Sequence, residues 1–292
     1  MSGGYEVFKI RGIAIRVHGS LVFLGVMLAI IALGEGGSPA DVGWRLMAPG
    51  VLFLTVLIHE LGHAFTARAH GQVVKDVVLT PLGGAARLQG AVRSPVAEAR
   101  VALAGPAANL VLAALAAGIL LLQGQFDLES LKRIVTLDIQ SGDLLIADPL
   151  RCILAFNLLL GTLNLLPAFP MDGGRILRAL LWLSMGKLAA TRIACRLGIW
   201  CAIGLFVSPF FVTGVQWWIL PLVGLTLFLA NVRERVMVEA SEGVARMSMA
   251  FSMGTESAQA QAQSRAQPAS QEEDDIIEVK GTSRVIDDKV IE

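Results

Sequence analysis

The sequence is poor in charge. Aspartate, glutamate, lysine and arginine make up 16% of its 292 residues, whereas a soluble domain carries about 25%. The formal net charge is zero, which argues against nucleic acid as a partner, because a polyanion is bound by a basic surface. The three cysteines lie in or beside apolar runs and show no CxxC spacing, so we expect them to be small membrane-buried hydrophobic residues. Hydrophobic residues, at 54%, take the place of the missing charge.

The hydrophobic residues are gathered in charge-free runs. These are Leu21–Gly34, Leu46–Ile58, Val101–Leu122, Cys152–Phe169, Leu197–Val215 and Trp217–Ala230. A helix needs about 20 apolar residues to cross a bilayer, and the first, second and last runs reach this length only with their flanks. The sequence predicts an all-α polytopic membrane protein with about six transmembrane helices in the lipid bilayer. A soluble all-helical protein is the alternative.

The segments outside these runs predict a little β-structure and a polar tail. Residues 1–19 alternate like a short strand, and residues 71–100 contain a β-branched stretch, a "TPLGG" turn and a second candidate strand. We expect a small membrane-associated β-hairpin or sheet there. Beyond Asn231 the composition becomes polar, which predicts a membrane-embedded domain over 1–235 and a polar, disordered cytoplasmic tail over 236–292.

A cluster of ionisable residues interrupts the second hydrophobic run. His59, Glu60 and His63 form an HExxH pattern, which places both imidazoles on one face of a helix. Two such imidazoles can bind one Zn²⁺, and the glutamate between them can take a proton from water. Ionisable groups inside a span cost about 2.5–3.5 kcal/mol each on insertion scales, so they are functional by default. The alternative is that the cluster only reaches the headgroups.

A third metal ligand is expected elsewhere, because a catalytic zinc has three protein ligands. Asp172 follows a stretch in which Asn164 and two prolines break an apolar run. Broken helix at membrane depth must line protein or water, so Asp172 is a candidate ligand; the alternative is a loop in which it caps the next helix. Glu98, in a polar loop, is the other candidate.

Three ordered motifs resemble one protein family. "HELGH" at 59–63, "LAGPAANL" at 103–110 and "NLLPAFPMDGGR" at 164–175 resemble the site-2 protease family of intramembrane zinc metalloproteases. "TPLGGAARL" is similar to that family's membrane-associated hairpin. The resemblance covers about residues 12–235, the region predicted to be membrane-embedded. No PDZ-like insert is visible between the spans and no nucleotide-binding module follows them, so the likeness is to a compact six-span branch.

The resemblance implies a metal site and an activity. It implies one Zn²⁺ per chain, bound by His59, His63 and Asp172, with Glu60 as the catalytic acid/base. The implied enzyme is a metalloendopeptidase that cleaves membrane-spanning protein substrates within or near the cytoplasmic leaflet, in regulated intramembrane proteolysis. A regulatory membrane partner is left open. An ion-coupled transporter and an inactive membrane scaffold are the alternatives, since both could use the same buried polar residues.

The resemblance also implies substrate contacts. Asn164 matches an asparagine of the family motif, with a role in substrate or transition-state contact, and Gly83 and Gly84 lie in the hairpin expected to meet the substrate. An extended substrate could add to the edge of that hairpin, over Val73–Leu88, by β-augmentation.

The charge distribution predicts an orientation. With six spans, most lysines and arginines fall in loops on one side of the membrane, together with both termini. Such loops remain in the cytoplasm, so both termini should be cytoplasmic, in the cell membrane if the source is a prokaryote. His63 and Asp172 lie toward the same side.

Overall fold

The protein is mostly helical, with one small sheet, as predicted. Its structure, a computed structural model, describes residues 4–34, 39–80, 83–89, 94–129, 149–210 and 219–266. The helices are α1 (Gly19–Gly34), α2 (Pro39–Ala69), α3 (Pro95–Leu122), α4 (Pro149–Asn164), α5 (Asp172–Met185), α6 (Lys187–Val207) and α7 (Ile219–Ala266). The strands are β1 (Tyr5–Ile10), β2 (Ile13–Val17), β3 (Val73–Thr80) and β4 (Gly83–Gln89).

Three helical stretches within the described ranges are long and apolar enough to cross a membrane. They are Pro49–Ala69, Pro95–Leu122 and Lys187–Phe210, and Pro149–Asn164 is a shorter apolar helix. The predicted run at Leu21–Gly34 falls in α1, which has only 16 residues. The last run begins outside the described residues and continues into α7. The count of six spans therefore stays a prediction.

The sheet is larger than the predicted hairpin. β3 and β4 do pair antiparallel, with Val77 opposite Ala86 and Thr80 opposite Gly83. The hairpin belongs to a sheet of four strands in the order β1-β2-β3-β4, which also includes the N-terminal segment. β2 and β3 pair in parallel, with Ala14 opposite Asp76 and Val17 opposite Leu79. Strands so distant in sequence pair because both have an apolar face to bury, which neither hairpin covers alone.

That apolar face packs on α2. Ile15, Val77 and Leu79 are completely buried, and they form one cluster with Leu57 and Ala64 of α2. Leu57 and Ala64 are seven residues apart and lie on the same face of the helix. The sheet is therefore seated on the helix that carries the HExxH motif.

The sheet is also joined by a charged pair outside the membrane spans. Asp76 of β3 is buried and accepts a hydrogen bond from Arg87 Nε of β4 at 2.5 Å. This hydrogen bond raises the pKa of the Arg87 guanidinium, so the arginine stays charged and its side chain joins β4 to β3.

The break after α4 is a non-helical connection. Residues 165–171 form bends and turns, and α5 begins at Asp172. Gly173 allows the first turn of α5 to lie against this connection, since a Cβ there would approach the carbonyl oxygen of Leu165 to 2.2 Å. Only glycine fits at such a distance, so "DGG" follows the break for a steric reason.

The region after residue 235 differs from the predicted tail. α7 continues as a helix to Ala266, where a disordered segment was expected from residue 236. The reason is local, because the stretch from Leu222 to Ala266 contains no proline and many alanine, glutamate, arginine and methionine residues, which favour helix. Residues 267–292 lie outside the described ranges. By its contacts the chain divides into units of Met1–Val238 and Glu239–Glu292, and the predicted roles of 1–235 and 236–292 stay predictions.

Candidate metal centre

Two histidines of α2 form the first half of the site. His59 and His63 are one helical turn apart, and both are buried. Their rings meet edge to face, with centroids 4.7 Å apart, and their Nε2 atoms are separated by 3.1 Å. Two buried imidazole nitrogens so close together need a proton or a cation between them.

Asp172 supplies the other half. It is buried at the start of α5, and its Oδ2 lies 3.1 Å from Nε2 of His59 and 3.1 Å from Nε2 of His63. Its other oxygen, Oδ1, accepts a hydrogen bond from Arg175 at 3.2 Å. The structure thus brings together the three residues predicted as ligands, although Asp172 follows His59 by 113 positions in the chain.

The geometry of the three atoms fits a small metal ion. Tetrahedral ligands at ~2.0–2.1 Å from Zn²⁺ lie ~3.3 Å from one another, close to the 3.1 Å found for all three pairs. Two nitrogens and one carboxylate oxygen are also a donor set that zinc accepts. His63 is already oriented for this role, since its Nδ1 donates to the Val101 carbonyl at 2.7 Å and leaves Nε2 free to bind metal.

Gly105 of α3 forms one wall of the site. A Cβ at this position would lie 2.4 Å from Nε2 of His63 and 2.9 Å from Cε1 of His59. Any side chain would therefore displace both rings. Sequence reasoning did not single out this residue, although a glycine within the helical run "LAGPAANL" is a signal for close packing.

Glu60 lies beside the metal-binding group and against the sheet. It is buried, and its Oε2 accepts a hydrogen bond from the backbone N–H of Ala86 at 3.2 Å. A Cβ on Gly84 would come within 2.3 Å of the Glu60 side chain, so only glycine allows β4 to approach it. Gly83 begins β4 next to Gly84. The two glycines predicted to contact substrate are thus in the strand that lies along Glu60, and their substrate role stays a prediction.

The remaining candidates have other partners. Asn164 ends α4, and its Nδ2 donates to the carbonyl of Leu160 at 2.9 Å, which leaves its predicted catalytic and substrate role untested. Glu98, the alternative third ligand, lies in α3 and not in a polar loop; it binds Arg178, with a distance of 2.9 Å to Nε. Glu98 is not one of the three residues that converge.

Comparisons with known proteins agree with this site. The sequence profile described as "Peptidase family M50" matches residues 48–205, which include both histidines and Asp172. The chain is 34% identical over 198 residues to zinc metalloprotease MJ0392 of Methanocaldococcus jannaschii, covering 68% of this chain and 51% of that protein. It is 35% identical over 260 residues to Rip3 of Mycobacterium tuberculosis, covering 84% and 62%. The chain thus spans about half to three-fifths of these relatives.

A solved structure is also similar. The site-2 protease from Methanocaldococcus jannaschii matches with a TM-score of 0.51 and 29% sequence identity, over 80% of this chain and 95% of that one. Sequence and fold therefore agree on the same relatives.

Proposed function

The chain belongs to peptidase family M50, and from this membership we propose that it is a zinc-dependent endopeptidase that cleaves membrane-spanning proteins. The proposal carries over to this chain the activity in the names of its relatives, one of which is named a zinc metalloprotease and another a site-2 protease. The observation that carries it is the convergence of His59, His63 and Asp172 within 3.1 Å of one another, with Glu60 beside them.

The mechanism divides between the metal and Glu60. When bound by His59, His63 and Asp172, zinc supplies a Lewis acid that polarises the peptide carbonyl and makes water nucleophilic near neutral pH. Glu60 accepts a proton as the water oxygen bonds to the carbonyl carbon, and it delivers that proton to the leaving nitrogen when the C–N bond breaks. The Ala86 N–H holds Oε2 at 3.2 Å, so the carboxylate has a fixed orientation.

β4 provides a means of holding the substrate. A transmembrane helix conceals its own peptide bonds, so the segment to be cleaved has to unwind and lie extended. Among the described residues β4 is at the edge of the sheet and pairs only with β3, so its other side can accept an added strand. Because Glu60 contacts that same strand at Ala86, a peptide bound there lies next to the catalytic carboxylate.

We extend the proposal to the direction of cleavage. From the excess of lysine and arginine in loops on one side, we infer that both termini and the site face the cytoplasm, so cleavage would release a cytoplasmic fragment. A single cysteine introduced at position 257 should react with an impermeant maleimide only from the cytoplasmic side, and one at position 130 only from the outer side. The reverse labelling pattern would contradict this topology.

The activity can be tested with purified protein in liposomes that contain a membrane-spanning reporter. Cleavage should stop when a chelator removes the metal and return when Zn²⁺ is added in equimolar amount. The same liposomes can be monitored for ion flux, which distinguishes the transporter alternative. Ion flux without cleavage, or cleavage that persists after complete metal removal, would reject the proposed function.

A further inference from the structure

α7 fastens the connection that leads into Asp172. Residues 165–171 are non-helical, so they cannot hold their position by helical hydrogen bonds alone. Phe169, near the end of this connection, is buried, and both of its backbone groups bond to the side chain of Asn231. Asn231 belongs to α7 and follows Phe169 by 62 residues. A candidate metal ligand thus lies on a connection that is held from a distant helix.

Every hydrogen-bonding group of the Asn231 side chain has a partner. Its Oδ1 accepts from the N–H of Phe169 at 3.1 Å, and its Nδ2 donates to the carbonyl of Phe169 at 2.8 Å and to that of Leu227 at 2.7 Å. Asn231 has no exposed surface. Because an amide has two donors and one acceptor oxygen, all of its groups are engaged and its orientation is fixed.

The neighbouring helix α6 packs closely against this amide. A Cβ on Gly198 would lie 2.1 Å from Oδ1 of Asn231, so only glycine leaves room for it. The Phe169 side chain packs against Ala194 and Cys195 of the same helix. Backbone and side chain of Phe169 are therefore both held, by α7 and α6 respectively.

A second contact joins α7 to α5, beyond Asp172. Arg178 of α5 donates to Glu234 at 2.5 Å and to Glu98, and its guanidinium carbon lies 4.9 Å from the centre of the Phe169 ring. Glu234 follows Asn231 by three residues, so both project from the same face of α7. α7 thus contacts the chain on both sides of Asp172.

The connection and the start of α5 have little freedom to move separately. Besides the contact of Gly173 with Leu165, a Cβ on Gly174 would come within 2.8 Å of the carbonyl carbon of Ala168. With backbone packed on backbone at this distance, a shift of Phe169 has to be passed on to Asp172, three residues later.

We propose that Asn231 is a positioning residue for the metal centre. Through Phe169 it sets where the Asp172 carboxylate stands relative to the two histidines of α2, and Glu234 supports the same position through Arg178. This inference rests on the proposed zinc site and adds that α7 determines how tightly the site binds its metal. The geometry of α2 is independent of this contact, so the effect acts on one of the three ligands.

The test is the zinc affinity of purified variants, measured by competition with a chelator of known affinity. Asn231→Leu removes the hydrogen bonds at similar volume, and Gly198→Ala displaces the amide without removing it. Both should bind zinc about 10–100-fold more weakly than the wild type, the loss typical of residues that orient metal ligands. Reporter cleavage should show a lower kcat with little change in KM, because the binding strand β4 is untouched.

Thr191→Val is the matched control. Thr191 is a buried polar residue of α6 whose hydroxyl donates to the carbonyl of Lys187 at 2.8 Å, so its hydrogen bond stays within its own helix. It should lose thermal stability but keep the wild-type zinc affinity. A loss of zinc affinity in Thr191→Val equal to that in Asn231→Leu would reduce the role of Asn231 to general stability and overturn the inference.

The remaining outcomes distinguish failure of the proposed function from failure of the positioning role. Wild-type protein that binds no zinc would refute the proposed function itself. Wild-type protein that binds zinc, together with folded Asn231→Leu or Gly198→Ala that binds it equally tightly, would refute only the positioning role. If neither variant folds, Glu234→Ala replaces them, since this glutamate is partly exposed; its affinity should fall toward the lower end of the range, and an unchanged affinity would overturn the inference.

Discussion

The two halves of the metal centre are held in different ways. On α2, His59 and His63 are placed by helical periodicity, and the helix is fixed by the sheet that packs on it. On the other side, Asp172 follows a non-helical connection whose backbone is held by Asn231. One half is therefore determined by local sequence, whereas the other depends on a residue far away in the chain.

This difference separates a rigid half from an adjustable half. A substitution on α2 acts directly on the histidine ligands, and no intermediate contact can absorb it. A change around Asp172 acts through a series of contacts, so its effect on the metal can be graded. Four groups of variants test this separation.

The largest effect is expected from the ligands themselves. The zinc affinity of His63→Ala should fall by more than the ~10–100-fold typical of supporting residues, and cleavage should fall to background. Asp172→Ala should also lose zinc, because two imidazoles alone do not complete a catalytic site. Metal analysis of the purified variants measures both, and full zinc retention in Asp172→Ala would show that the third ligand is another residue.

Glu60→Gln should separate catalysis from metal binding. The amide keeps the size of the side chain but cannot carry the proton, so cleavage should fall by about 10²–10⁴-fold while zinc content stays at the wild-type level. Reporter cleavage and metal analysis of the same preparation provide the two values. A variant that cleaves at nearly the wild-type rate would exclude Glu60 as the acid/base.

Gly105→Ala tests how little space the rigid half allows. The added Cβ would overlap both imidazole rings, so zinc affinity should fall by roughly 10-fold or more, as for residues that orient ligands. Gly118→Ala, in the same helix, is the matched control, because nothing lies within 4 Å of its added Cβ. Equal zinc affinities for these two variants would contradict the close contact of α3 with the histidines.

The smallest effect is expected from deletion of residues 241–292. Although α7 continues to Ala266, the contacts to Phe169 and Arg178 come from Asn231 and Glu234, which the deletion retains. Zinc affinity and reporter cleavage should therefore stay within about twofold of the full chain, since these contacts toward Asp172 are kept. A stable truncated protein without activity would assign the tail a direct role.

The sequence was sufficient for the half of the site that is local. The spacing of His59 and His63 fixes their common face, and the motif around Asp172 identified the third member of the group. The parallel pairing of β2 with β3 was not predicted, because it joins strands some sixty residues apart with no local signal. Asn231 was also missed, since an asparagine at the end of an apolar run reads as interfacial until its partner is known.

The extent of α7 was missed for another reason. A polar composition was interpreted as disorder, but helix propensity does not require an apolar face, and this stretch contains few residues that interrupt a helix. Composition bounds how much a segment can bury and does not by itself decide whether its backbone is helical.

The hydrogen bond between Glu60 and the backbone of Ala86 has a consequence for the products. It ties the carboxylate proposed as the acid/base to one position along β4. A peptide paired with the edge of β4 can slide only in steps of two residues, because a one-residue shift turns its outward backbone groups and side chains to the opposite side. When a substrate is cut at more than one bond, the new ends should therefore differ by even numbers of residues. Mass spectrometry of the fragments would show product lengths that differ only by even numbers of residues.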